Sequence, residues 1–153
     1  MMAKKFEFRL QSVLQIRQKL EDIRAIELKQ AQMALKQEEE KLQMINTKKE
    51  EHFQKANLGE TFLAPFSLKI QTSYTNQLNF LIENQNQSVQ LAEKHVDEKR
   101  SILLKASQEK KIVEKLKEKK EEEFSRSMAQ HEIIANSEIA LRRINAGNWG
   151  IRQ

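Results

Sequence analysis

Glycine and proline are nearly missing from this chain, and their scarcity decides what it can fold into. The 153 residues hold three Gly and one Pro. Gly59 and Pro65 lie close together and Gly147 and Gly150 sit near the end, so two long stretches run without a backbone breaker. A multi-strand sheet needs clusters of turn-formers every 8–12 residues or so, and here they are too scarce to supply them. Hydrophobic residues make up 39% and charged residues 32%, against roughly 45–50% and about 25% in typical globular chains. With 6% aromatics and a mean hydropathy of −0.73, little apolar surface is left for a globular interior. A two-helix seam needs only one narrow apolar stripe per helix. The expected fold class is therefore all-α: a long antiparallel two-helix coiled-coil hairpin with a C-terminal helix overhang.

Heptad spacing supports the first helix. Leu14, Leu28, Leu35 and Leu42 share one position, with Glu21 and Lys49 as exceptions. The companion position holds Leu10, Arg17, Arg24, Ala31, Glu38, Ile45 and His52. Together they predict a weak seam along a helix over about 9–55. The segment ANLGETFLAPF, residues 56–66, is the turn. Asn57 and Gly59 suit a helix C-terminus, Pro65 suits the first position of a new helix, and Thr61 or Ser67 suits its cap. A second helix is expected over about 67–144, with a seam of Leu78, Leu81, Ala92, Ile102, Ala106, Val113 and Leu116. His95, Lys99 and Glu109 interrupt that seam, and residues 145–153 are expected to form a flexible tail.

All of this reads as one coiled-coil domain over residues 1–153. At 1.5 Å per residue the first helix would be about 70 Å long and the second nearly 120 Å. A turn centred near residue 61 would set Leu35 near Gln87 and Leu10 near Lys111. Everything past about residue 115 would then lack a partner from helix 1, although it carries Phe124, Met128, Ile133, Ile134, Ile139, Leu141 and Ile144. A lone helix with exposed Ile and Phe is marginal in water. The overhang must dock on another protein, bend back, pair with a second copy, or fray.

No catalytic constellation emerges. His52, His95 and His131 are far apart, and His131-Glu132-Ile133-Ile134-Ala135 lacks the second His that a zinc-binding helix needs. Without a Gly-rich loop or a GK[ST] motif there is no phosphate cradle. The many carboxylates have no concave pocket to shift their pKa values. Asn86-Gln87-Ser88 matches a glycosylation sequon that has no meaning without secretion. The expectation is a protein that is not an enzyme, with no cofactor and no metal. Trp149 is either randomly placed or a docking anchor. Ile45 and His52 lie just before the turn and Tyr74, Leu78 and Leu81 just after it, so they gather at one tip. That cluster either closes the end of the coiled coil or forms a protein-binding patch.

There is no Cys, which fits a reducing cytosol and excludes disulfides and thiolate zinc sites. The first residues lack the apolar run of a secretory signal, and no window approaches the ~18 apolar residues of a membrane span. A soluble protein is expected, with any membrane association peripheral and made through partners. A net charge of +5 and a pI near 9.4 favour acidic partners. Because Glu is interleaved with Lys nearly everywhere, no nucleic acid is expected among them.

Two segments carry a resemblance. One is FEFRLQSVLQIRQKLEDI, residues 6–23, with the pattern F-x-F-R-L-x-x-V-L at Phe6, Phe8, Arg9, Leu10, Val13 and Leu14. The other is ASQEKKIVEKLKEKKEEEF, residues 106–124. With a chain of this length and a central turn, they resemble the flagellar export protein FliJ family, which is related to stalk-like proteins of type III injectisomes. The resemblance implies an antiparallel coiled coil similar to the central stalk of rotary ATPases, working in the cytoplasm at the cytoplasmic face of the cell membrane. Its implied partners are the flagellar export ATPase ring, the cytoplasmic domain of the export gate, and export chaperones. On that pattern the ATPase-facing residues are Phe8, Arg9, Leu10, Val13, Leu14, Lys110, Lys111, Lys115 and Leu116. The gate-facing residues are Ile45, His52, Tyr74, Leu78 and Leu81.

Residues 105–124 contain seven Lys and six Glu. Four-residue pairs at Lys110–Glu114, Lys117–Glu121 and Lys119–Glu123 are expected to stiffen this helix, each by at most ~0.2–0.5 kcal/mol in this Lys-first orientation.

Overall fold

Local chemistry produces two helices. The computed structural model describes residues 5–58 and 65–149, with side chains placed over 5–55 and 66–145. Helix α1 spans Gln11–Leu58 and helix α2 spans Pro65–Trp149. There is no strand among the described residues. The two helices pack against each other as an antiparallel coiled-coil hairpin.

Pro65 opens α2, where its missing N–H costs nothing and its fixed φ suits the helix. Ser67 lies inside α2, past the capping position, and Thr61, with the expected turn at Gly59, lies outside the described residues. The far end differs from expectation. The backbone stays helical through Trp149 instead of ending near 144. A single Gly costs a helix only ~1 kcal/mol relative to Ala, so Gly147 alone does not stop it.

Contacts divide the chain into two units, residues 1–18 with 108–153, and residues 19–107. Within the second unit the only buried hydrophobic side chains among the described residues are Ala31, Leu78 and Val96. Around them the seam of α1 follows the heptad reading, exceptions included. Glu21, Arg24, Leu28, Leu35, Glu38, Leu42, Ile45, Lys49 and His52 are all half-buried.

On α2 only one of the two expected rows is correct. Leu78, Ala92, Lys99 and Ala106 face the seam, but the companion row is Thr75, Ile82, Val89, Val96 and Leu103. Leu81, His95 and Ile102 are exposed, one residue out of step. Doublets such as Leu81-Ile82 and Ile102-Leu103 offer two apolar choices, and packing selects the second.

Polar seam contacts fix the pairing. Lys99 Nζ donates to Glu27 Oε2 at 3.0 Å, while Arg24 reaches the same carboxylate at 2.9 and 3.0 Å. Gln85 Nε2 donates to the Glu38 carbonyl at 3.0 Å and to its carboxylate at 2.6 Å. The His52 and Tyr74 rings meet edge to face at 4.7 Å. Glu38–Gln85, Glu27–Lys99 and His52–Tyr74 centre the hairpin at about residues 61–63. Hydrogen bonds from Lys99 and then Arg24 hold the Glu27 carboxyl below the usual glutamate range. Lys41 and Gln85 do the same for Glu38.

Candidate functional site

The first unit brings the two motif segments together. Residues 5–8 precede the helix in an open conformation, and a turn at 9–10 leads into α1. The Gln11 amide donates to the Phe8 carbonyl and the Leu14 amide to the Leu10 carbonyl, both at 3.0 Å. With no acidic residue in its first turn, α1 gains no charge stabilisation at its N-terminus. Packing of the aromatic lead-in against α2 anchors that end. The Phe6 and Phe124 rings lie 5.7 Å apart, tilted by 51°. Such ring pairs contribute ~0.5–1.5 kcal/mol beyond the area they bury.

Between lead-in and helix runs an open groove of about 740 Å³, lined by Phe6, Phe8, Arg9, Leu10, Leu116 and Phe124 with Lys120 and Glu123 at its polar edge. Lys120 Nζ donates to Glu123 at 2.7 Å, and that bond holds the Glu123 carboxyl below its ordinary range. Leu10 shares this groove with Leu116, and Lys111 is not among its lining residues. Past residue 115 the described contacts of α2 come from the lead-in ahead of α1, with Phe6 on Phe124 and a shared groove whose lining extends to Ser127.

Of the nine residues expected to face the ATPase, all lie in this unit. Arg9, Leu10, Lys111, Lys115 and Leu116 are exposed, while Phe8, Val13, Leu14 and Lys110 are half-buried and support them. Lys110 lies 3.6 Å from Glu114, as the four-residue spacing predicts. The other two expected pairs are replaced. Glu123 bonds Lys120, not Lys119, and Lys117 turns half-buried into the seam row that runs on through Lys110 to Phe124. A lysine serves there by laying its methylene stem along apolar surface while its ammonium stays wet. Sequence reasoning did not foresee the Phe6–Phe124 contact or the Arg17–Glu109 ion pair. Both aromatics stand inside the motif segments, which was the signal available.

The five residues expected to face the gate all lie in the second unit. Tyr74 and Leu81 are exposed, and Ile45 and His52 are half-buried. Leu78 is a correction: it is buried among the hairpin's core and cannot touch a partner. Exposed Phe66, Ile70 and Phe80 were not anticipated. Phe66, Ile70, Tyr74 and Leu81 recur at helical spacing, which places them along one side of α2. Trp149 has no described side chain.

No helix among the described residues is long and apolar enough to cross a membrane. Neither curated proteins nor solved structures provide a match to the chain. The family described as flagellar FliJ protein matches residues 6–148, and so spans both motif segments and both helices. The chain belongs to the flagellar FliJ protein family, a component of flagellar type III protein export.

Proposed function

We propose that this protein is a non-enzymatic, stalk-like coiled coil that binds and stimulates the flagellar export ATPase ring. In the same reading it couples that ring to the cytoplasmic domain of the export gate and escorts export chaperones. It works in the cytoplasm at the flagellar base, reaching the membrane face only through these partners.

One observation carries the ATPase assignment: the two motif segments, distant in sequence, build one groove-bearing surface in the first unit. Leu10 and Leu116 offer the apolar contact, and Arg9, Lys111 and Lys115 the charge. Exposed ion pairs are worth only ~0–1 kcal/mol each, so a shaft surrounded by ATPase subunits can exchange such contacts cheaply. This is what the highly charged helix is for. The gate contact is assigned to Tyr74 and Leu81 with His52 and Ile45 behind them, because exposed aromatic and apolar groups favour helix-groove docking.

Reversing the charges of the exposed Lys111 and Lys115 to Glu should abolish stimulation of ATP hydrolysis at low salt while leaving the helical content unchanged. Undiminished stimulation by that variant would refute the surface. Ala at Tyr74 and Leu81 should impair gate binding yet spare ATPase stimulation, and unchanged gate binding would remove the tip assignment.

A further inference from the structure

Every described side chain from Ala129 to Asn145 is exposed. This stretch is amphipathic nonetheless. Ile133, Ser137, Ala140 and Ile144 recur at four-three-four spacing and share one face. Ile134 and Leu141 flank that face on one side, and Glu132 and Arg143 flank it on the other. The four large side chains are 68%, 55%, 59% and 63% exposed at Ile133, Ile134, Leu141 and Ile144. Ser137 donates to the Ile134 carbonyl at 2.8 Å, so its hydroxyl can enter an apolar contact already satisfied.

Read in either direction, the pattern is the same. A second copy laid antiparallel, with its centre between Glu138 and Ile139, sets Ile133 against Ile144 and Ser137 against Ala140. On one flank Ile134 meets Leu141, and on the other Glu132 meets Arg143. Each contact occurs twice by two-fold symmetry. Parallel pairing would instead set the charged flank of one copy against the Ile134–Leu141 flank of the other. The available length fits as well: the end of one α2 at Trp149 comes level with Met128 of the other, just ahead of the exposed stretch.

From this self-complementarity we infer that the protein forms an antiparallel homodimer through residues 129–145. The inference does not depend on the export assignment. The contact is smaller than a standard interface, so the dimer forms and dissociates over a concentration range of roughly 1–100 µM.

Sedimentation equilibrium of the full chain tests it. The average mass should climb from 18.0 kDa toward twice that value as concentration rises. Ile133→Asp should weaken association about tenfold or more. Glu132→Arg should weaken it less, and adding Arg143→Glu should restore it. Orientation is read from cross-linking, since the chain has no Cys. A short bis-maleimide should join copies of Ser137→Cys. It should not join copies of Gln130→Cys, whose thiols would stand about 25 Å apart along the axis. A mass that stays monomeric throughout, a dimer indifferent to Ile133→Asp, or equal cross-linking at both positions would overturn the proposal.

Discussion

Residues 19–107 and residues 129–145 both carry apolar side chains at helical spacing, yet only the first stretch has a helix to pack on. In residues 19–107 the apolar content is modest: Ala31, Leu78 and Val96 are its buried side chains among those described, and polar pairs fill much of the seam. In residues 129–145 four Ile or Leu residues of one stripe stand in water. The difference teaches that hydrophobicity does not settle which stretch forms a core. A seam needs a partner of matching register, and Glu27–Lys99 and Glu38–Gln85 supply that register to the hairpin. Among the described residues the C-terminal stretch has no such partner, and its pattern is the one proposed above to pair with a second copy.

The largest expected effect separates the two regions directly. Leu78→Asp or Val96→Asp buries a carboxylate in the hairpin seam and should cost about 3 kcal/mol or more, read as a lower thermal midpoint of helical circular dichroism. Ile134→Asp, on the exposed stripe, should change monomer stability by less than ~0.5 kcal/mol. Equal losses at the two sites would erase the distinction.

An intermediate effect is expected where the lead-in meets α2. Phe124→Ala removes the ring partner of Phe6 and should cost about 1–2 kcal/mol of local packing, less than a core Phe because the ring is half-buried. Hydrogen exchange should then speed up at the amides of residues 5–14, while the amides around Val96 stay protected. Slow exchange at both would mean that the lead-in is held by something else.

The smallest effect is one of pH. Glu27 and Glu38 have carboxyls held below their ordinary range by partners across and along the seam. A depressed folded-state value stabilises the hairpin above the unfolded value of about 4.3, and the gain is lost as pH falls through the folded value. Acid titration of helicity should therefore show a loss below that range, and Glu27→Gln should flatten it.

Much of this was legible in the sequence. Leu14, Leu28, Leu35 and Leu42 stand seven apart with no breaker between them, so the α1 seam followed from spacing, polar exceptions included. The α2 seam was half legible. Doublets at 81–82 and 102–103 left two choices, and the true seam residues Lys110 and Lys117 do not advertise burial, so Leu116 drew the assignment. The lead-in was not legible at all. A non-helical segment laid along a helix has no period, and the Phe6–Phe124 contact links residues that only the folded chain brings together. Leu78 marks the limit of reading function from position near a turn, because an apolar residue there serves the core before it serves a partner.

The groove built by the lead-in and α2 is the central claim, since it joins the two motif segments into the one surface proposed to meet the ATPase. Its most direct test is ATP turnover by purified export ATPase titrated with the full chain and with a chain lacking residues 2–10. The account predicts that the shortened chain keeps the thermal midpoint of the hairpin over residues 19–107 but loses most of its stimulation. Stimulation equal to that of the full chain, at equal concentration and low salt, would contradict it.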